Sequence, residues 1–291
     1  MKRKLFLPLL LVTALLCVGL LAGGCGGGGS GGGKKNVGAG AFGVKSLLWS
    51  AQTLMEQMAK NPNLVVLDCR KAVNDDGSFT GIPGAKYWPY DREHIDGSYP
   101  IDMFVFGDPY TTAADQVNVE ATLSALGINL DTPICLYDKD IDNPQGKVFF
   151  QLERQGCTNV HVLNGGFTNW KKINGAVSAL ATPPPAPSVF VPLIDNACSA
   201  DLPAFKAIWD QVDQGLPGAD LYTLTDYREE PLWYGHKICP DALYHGHIPH
   251  TGLLNWKTLF DGATGLFKTK DQITQLNLAA GLKRGKINVI I

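Results

Sequence analysis

Two apolar strand patterns end in an acid and a base two positions apart, Leu67-Asp68-Cys69-Arg70 and Thr225-Asp226-Tyr227-Arg228. A carboxylate and a guanidinium at that spacing suit an ion pair that satisfies buried backbone better than they suit acid–base catalysis. A third carboxylate, Asp138, follows the apolar run Pro133 to Tyr137, where a loop would lead into the next helix. His236, His245, His247 and His250 crowd together with Asp241, donors that could hold a transition metal. Loop residues at such irregular spacing fix no geometry, and neither a metal nor another cofactor is expected.

Of the seven cysteines, Cys17 and Cys25 lie near the N-terminus, leaving Cys69, Cys135, Cys157, Cys198 and Cys239. That odd number, without a CxxC spacing, supports neither a zinc ribbon nor dithiol redox chemistry. Cys69 and Cys135 end apolar strand patterns and are expected as buried hydrophobes. Cys198 and Cys239 fall in polar segments, and a disulfide between them stays open.

These side chains need elements to hold them. Ser50 to Lys60 reads as a capped helix, Asn61-Pro62-Asn63 as a breaker and Leu64 to Leu67 as a buried strand. The rhythm continues with a helix over 119–126, a strand over 133–137, a helix over 146–155, a strand over 160–163 and a helix over 167–173. Alternation of this kind predicts an open parallel sheet flanked by helices. Residues 178–192, with Pro183-Pro184-Pro185 and Pro187, predict a stiff extended linker. Beyond it the order restarts: a helix from Ser199 or Asp201 to Asp210, a strand over 221–225, a helix over 270–280 and a strand over 287–291.

The halves read as a duplication. The two Asp-x-Arg strands match, Gly81-Ile82-Pro83-Gly84-Ala85 matches His247-Ile248-Pro249-His250-Thr251, and Ala125-Leu126-Gly127-Ile128 matches Ala279-Ala280-Gly281-Leu282. A period of domain size means tandem domains rather than a solenoid. Gly81, Gly84, Gly165 and Gly166 are expected in turns that a Cβ would obstruct, and Trp170 in a core.

The N-terminus has export grammar. Lys2, Arg3 and Lys4 precede an apolar run from Leu5 to Ala22 and then small residues up to Cys25. Leu21-Ala22-Gly23-Gly24-Cys25 resembles a bacterial lipobox, which implies lipidation of Cys25 and a cell-envelope location facing the periplasm, with the outer membrane mildly preferred. An uncleaved anchor helix is the alternative. The following GGGGSGGG run is a flexible tether. A formal net charge of -2 and the lack of a dense Lys/Arg run leave no electrostatic footprint for nucleic acid. The expected organisation is a signal at 1–25, a tether at 26–43, domain 1 at 44–177, the linker at 178–192 and domain 2 at 193–291.

The Asp-x-Arg strands, the Ile-Pro turns, the strand ending in Tyr137 and Asn-Val-His-Val-Leu-Asn-Gly-Gly-Phe-Thr-Asn-Trp (Asn159 to Trp170) together resemble the tandem rhodanese family, the thiosulfate and 3-mercaptopyruvate sulfurtransferases. The resemblance implies two rhodanese-like α/β domains and a small anionic sulfur compound as partner. It also implies a nucleophilic cysteine directly after a strand ending in Tyr, on a loop whose backbone N–H groups and helix N-terminus stabilise a thiolate. Domain 1 has Asp138 at that place, as non-catalytic first domains of the family do. In domain 2 the cysteine is expected just beyond Ile291, so the second domain reads as truncated before its catalytic loop and the chain as given has no catalytic residue. Asp226, Arg228, His247 and Cys239 are the cleft candidates that remain. Two other readings stand beside it: a non-catalytic rhodanese-like protein that binds a small anion or a protein partner, and a phosphatase on the same fold.

Overall fold

The computed structural model describes residues 46–71, 89–107, 113–140, 144–197, 199–237 and 245–290. Cys25 with the signal and tether, the 81–85 turn, Cys198, Cys239 and Asp241 lie outside the described residues. Among the described residues no helix is long and apolar enough to cross a membrane. The chain divides into two compact units: Ser46–Cys198 with Asp261–Phe267, and residues 199–260 with 268–291.

The first unit runs β1 (Leu48–Trp49), α1 (Ala51–Lys60), β2 (Val65–Asp68), α2 (Pro89–Arg92), β3 (His94–Ile95), β4 (Tyr99–Pro100), α3 (Ala113–Ala125), β5 (Ile134–Tyr137), α4 (Pro144–Arg154), β6 (Val160–Leu163), α5 (Gly166–Lys172) and β7 (Val177–Ser178). Five strands form one sheet in the order β1-β6-β5-β2-β4, every pair parallel. Every residue of β2, β5 and β6 is buried, which is why these strands read as continuous apolar runs instead of alternating. Helix α1 starts where Ser50 accepts a hydrogen bond from the Thr53 amide at 3.0 Å. Its Ala51 and Leu54 pack in a core with Val66, Ile95, Cys135, Tyr137, Leu163, Phe167 and Trp170. Helix α3 begins at Ala113, earlier than the expected Val119; Val117 is exposed, so apolar periodicity does not mark its first turns.

The proline-rich stretch corrects the sequence expectation. Residues 178–192 are extended but do not separate the units. They run along the first unit, and the division falls between Cys198 and Ser199. The Ser188 amide donates to Ser124 O at 2.9 Å and the Phe190 amide to Ser124 Oγ at 3.0 Å. The Leu193 and Asp195 amides donate to Gln155 O and Arg154 O, and the Phe190 side chain is buried. Proline prevents helix and strand pairing here, yet the remaining N–H groups find the carbonyls left unpaired at helix ends.

The second unit runs α6 (Leu202–Asp213), β8 (Tyr222–Asp226), α7 (Glu230–Trp233), β9 (Thr251–Leu253), α8 (Lys270–Ala279) and β10 (Ile287–Ile290). Asp201 caps α6, and Thr269 with Gln272 forms a reciprocal capping box on α8. The sheet order is β10-β8-β9, both pairs parallel. Strand register is alike in the two units. Asp68 stands opposite Tyr137 and Pro100, while Asp226 stands opposite Leu253, and Ile290 stands opposite Thr225 as Leu136 does opposite Leu67. So β10-β8-β9 repeats β5-β2-β4.

The same counting corrects the turn alignment. The structural counterpart of His247-Ile248-Pro249-His250-Thr251 is His94-Ile95-Asp96-Gly97-Ser98, since both lead into the strand that pairs with the Asp-x-Arg strand. Gly97 and His250 share left-handed backbone, with φ of 82° and 68°. Glycine enters that region without steric cost; His250 also holds it, with Nε2 2.8 Å from Asp213 Oδ1.

One carboxylate on α4 makes the first unit sensitive to pH. Burial raises the Glu153 carboxyl from 4.5 to about 7. The folded protein therefore binds more protons than the unfolded chain between those values, and stability falls as pH rises from about 4.5 through about 7. Glu153→Gln is expected to flatten this dependence and to be more stable than the parent protein at pH 8. Urea unfolding at pH 5 and pH 8 checks it.

Candidate functional site

The site of interest in the first unit lies at the carboxyl ends of β2 and β5, where an open α/β sheet presents its loops. Asp68, the last residue of β2, is buried and takes four bonds from Arg70: Nε to Oδ1 at 2.9 Å and to Oδ2 at 3.1 Å, Nη2 to Oδ2 at 2.5 Å and the backbone amide to Oδ1 at 3.0 Å. The Tyr137 hydroxyl donates to Asp68 Oδ2 at 2.6 Å and lies 3.0 Å from Ser98 Oγ. Arg70 Nη2 also donates to Glu93 O at 2.5 Å, and its guanidinium carbon sits 4.3 Å from the centre of the Phe167 ring. Burial, with the Asp68 carboxylate close by, raises the Tyr137 hydroxyl well above its ordinary range, which keeps it a donor. These groups brace one another and fix the end of β5.

Asp138 follows directly. It is 2% exposed, and its Oδ1 accepts from the Lys139 amide at 2.5 Å. The loop backbone is clamped by the start of α5: the Phe167 amide donates to Asp138 O at 2.7 Å and the Thr168 amide to Lys139 O at 2.8 Å. The Gly165-Gly166 pair makes that approach feasible, with φ of 79° and 55°. A Cβ on Gly166 would collide with the Asp138 and Lys139 backbone. Gly166→Ala is expected to destabilise the first unit by roughly 1–3 kcal/mol, the cost of a strained position that cannot relax. Thermal unfolding measures it.

The second unit repeats the ion pair. Arg228 Nε and Nη2 bond Asp226 at 2.9 and 2.6 Å, and Nη2 donates to Gly246 O at 2.8 Å, the counterpart of the Arg70 bond to Glu93. Sequence reasoning named His247 but missed its match in the first unit, His94. His94 stacks on Tyr90 with ring centres 3.7 Å apart, and His247 on Trp233 at 3.6 Å; each ring sets Nδ1 against the carbonyl of the aromatic residue it covers. The signal was present, since His-Ile-x precedes both short strands, but Asp96 stands where the second copy has Pro249. The other histidines have separate surroundings: His250 pairs with Asp213, and His236 stacks on Tyr234. Among the described residues no group of three or more His, Cys, Asp or Glu could hold a metal ion.

The described cysteines are buried. Burial raises the Cys69 thiol well above its usual value, with the Asp138 and Asp68 carboxylates adding to it; burial also raises Cys135, and it pushes Cys157 up to about 12. An inaccessible thiol that is not ionised is inert. Native protein at pH 8 is expected to leave all three unlabelled by a thiol reagent while denatured protein labels all of them, as read by peptide mass spectrometry.

A five-stranded parallel sheet with a clamped loop after β5 is the setting in which the comparison with known proteins becomes informative. The rhodanese-like domain family matches residues 50–173. Among curated relatives, the thiosulfate sulfurtransferase of Gallus gallus is 28% identical over 197 residues, covering 67% of this chain and 61% of that protein. The thiosulfate sulfurtransferase of Rattus norvegicus is 26% identical over 218 residues, 70% and 65% of the two chains. The matches thus span less than two thirds of either relative's length. A crystal structure of a 3-mercaptopyruvate sulfotransferase from Escherichia coli superposes with a TM-score of 0.67 at 18% identity, covering 84% of this chain and 88% of that one, a likeness of fold. The matched stretch contains Asp68, Arg70, Tyr137, Asp138 and the Gly165-Gly166 clamp.

Proposed function

We propose that this chain is a sulfurtransferase-type protein of the cell envelope whose rhodanese-like domain at 50–173 positions and does not react. The carrying observation is Asp138. A buried carboxylate occupies the place directly after the strand ending in Tyr137, within a loop clamped to α5. A carboxylate there cannot accept a sulfane sulfur as a persulfide, and its charge opposes an anionic donor such as thiosulfate. The sulfur-accepting group then belongs to the second copy. By strand register Ile290 matches Leu136, so the position matching Asp138 lies outside the described residues. Asp138 makes the first unit the one that does not react, and thiosulfate or 3-mercaptopyruvate, named for its relatives, is the donor class we assign. Reading the coding sequence past the Ile291 codon tests this: a cysteine codon within the next few positions supports the assignment, and an open frame without one sinks it.

The Asp138 carboxylate also favours a second reading, a non-catalytic rhodanese-like module that binds a small anion or a protein partner. Titration calorimetry with thiosulfate separates the two, since saturable binding by the 291-residue chain without turnover supports the module. The envelope location rests on Cys25 behind small residues and ahead of a glycine tether. Cys25→Ser is expected to release the protein from the membrane fraction; unchanged retention would mean an uncleaved anchor instead.

A further inference from the structure

We propose that the first unit lies against the lipid bilayer through residues 189–194, an inference that rests on the lipid-anchored envelope location proposed above. Val189-Phe190-Val191-Pro192-Leu193-Ile194 is a run of six apolar residues. Within it only Phe190 is buried; Val189, Val191, Leu193 and Ile194 are 81, 67, 57 and 44% exposed. Folding gains nothing from an apolar run left in water, and one of this length marks an interaction surface.

The run is fixed through its backbone, which leaves side chains to do the binding. The Phe190 amide donates to Ser124 Oγ, and the Leu193 and Asp195 amides donate to Gln155 O and Arg154 O. Pro192 has no amide hydrogen. Continuous main-chain pairing with another strand is thereby blocked. The exposed side chains are aliphatic, and no Lys or Arg occurs between Ser178 and Asn196. A surface of this kind suits the acyl boundary of a bilayer, and headgroup charge plays no part in holding it.

The chain itself brings a bilayer within reach. With lipid on Cys25, the stretch from there to Ser46 spans at most roughly 75 Å in any conformation, so a weakly apolar surface on the tethered unit meets the membrane at high effective concentration. Topology sets the orientation. Helix α3 leads into β5 and α4 into β6, so Ser124, Arg154 and Gln155, at or near the ends of these helices, stand towards the amino ends of the two parallel strands. Residues 188–195 bond to them there. Asp138 follows the opposite, carboxyl end of β5, so contact through 189–194 turns the loop after β5 towards water.

The test places the full-length lipidated protein on phosphatidylcholine vesicles that contain a diazirine-bearing phospholipid, and maps lipid adducts by mass spectrometry after illumination. Adducts are expected to be roughly tenfold denser over residues 187–197 than at Val117, which is 66% exposed near the start of α3. Val191→Asp with Leu193→Asp, both at exposed sites, is expected to lower the yield at 187–197 by roughly tenfold while retention on the vesicles stays unchanged. Vesicle-bound protein whose adducts are no denser at 187–197 than at Val117 overturns the proposal and leaves the anchor standing. Protein that carries no lipid on Cys25 and floats free of the vesicles overturns both. An adduct-free run, together with a dimer in sedimentation that the double variant dissolves, assigns the run to a second copy and overturns the membrane contact as well.

Discussion

The 291-residue protein, purified and mixed with thiosulfate and cyanide, is expected to form thiocyanate on the order of 10⁴-fold or more slowly than a competent sulfurtransferase, the scale of loss when a covalent nucleophile is removed. The reason is chemical. Persulfide formation needs an accessible thiolate held by backbone N–H groups, and the loop after β5, which could hold one, presents the Asp138 carboxylate. Cys69, Cys135 and Cys157 are buried with raised thiol pKa values, so none reaches a donor or ionises near neutrality. Cys239 follows the second Asp-x-Arg strand, and Cys239→Ser is the control. Robust turnover lost in that variant would make Cys239 the nucleophile, and robust turnover that survives it would show chemistry independent of Cys69, Cys135, Cys157 and Cys239 alike.

The largest stability effect is expected at Asp68. Asp68→Ala removes a carboxylate that is 1% exposed and holds Arg70 and Tyr137 together. It leaves a largely buried guanidinium without its counter-ion and should cost the first unit about 3–5 kcal/mol. Small domains have about 5–15 kcal/mol in total, so much of the unit's stability would go. Tyr137→Phe, which removes one bond to the same carboxylate, should cost about 1.5–3 kcal/mol. Equilibrium denaturation of the variants, followed by hydrogen exchange within β2 and β5, measures both. If the paired apolar replacement Asp68→Leu with Arg70→Met restores most of what Asp68→Ala loses, the charge left unpaired is the cause. If it does not, the loss lies in the Tyr137 and Glu93 bonds.

Strand–helix order was legible because the buried strands VVLD, ICLY and VHVL are short, mostly apolar runs between polar helices and glycine or proline breaks. The Asp-x-Arg pairs were legible as ion pairs because the spacing alone lets the guanidinium fold back on the carboxylate. The histidine turn was misaligned for a physical reason. Gly81-Ile82-Pro83-Gly84-Ala85 and His94–Ser98 each share two residues with His247–Thr251, the first by its Ile-Pro pair, so letters alone do not choose between them; equivalence is set by which strand each turn feeds. Proline composition likewise predicted an extended stretch at 178–192 without saying what it would lie against.

By itself, then, the sequence determined the local choices: apolar period, helix caps at Ser50 and Asp201, the glycine pair at 165–166 and a carboxylate where a nucleophile could stand. These depend on residues close along the chain. Only the tertiary structure decided which distant segments answer one another. Register between β2 and β5 set Tyr137 on Asp68 across 69 positions. The approach of α5 to the Asp138 carbonyl showed why Gly166 has no side chain. Such pairings are long-range hydrogen-bond and packing equilibria, which no local pattern encodes.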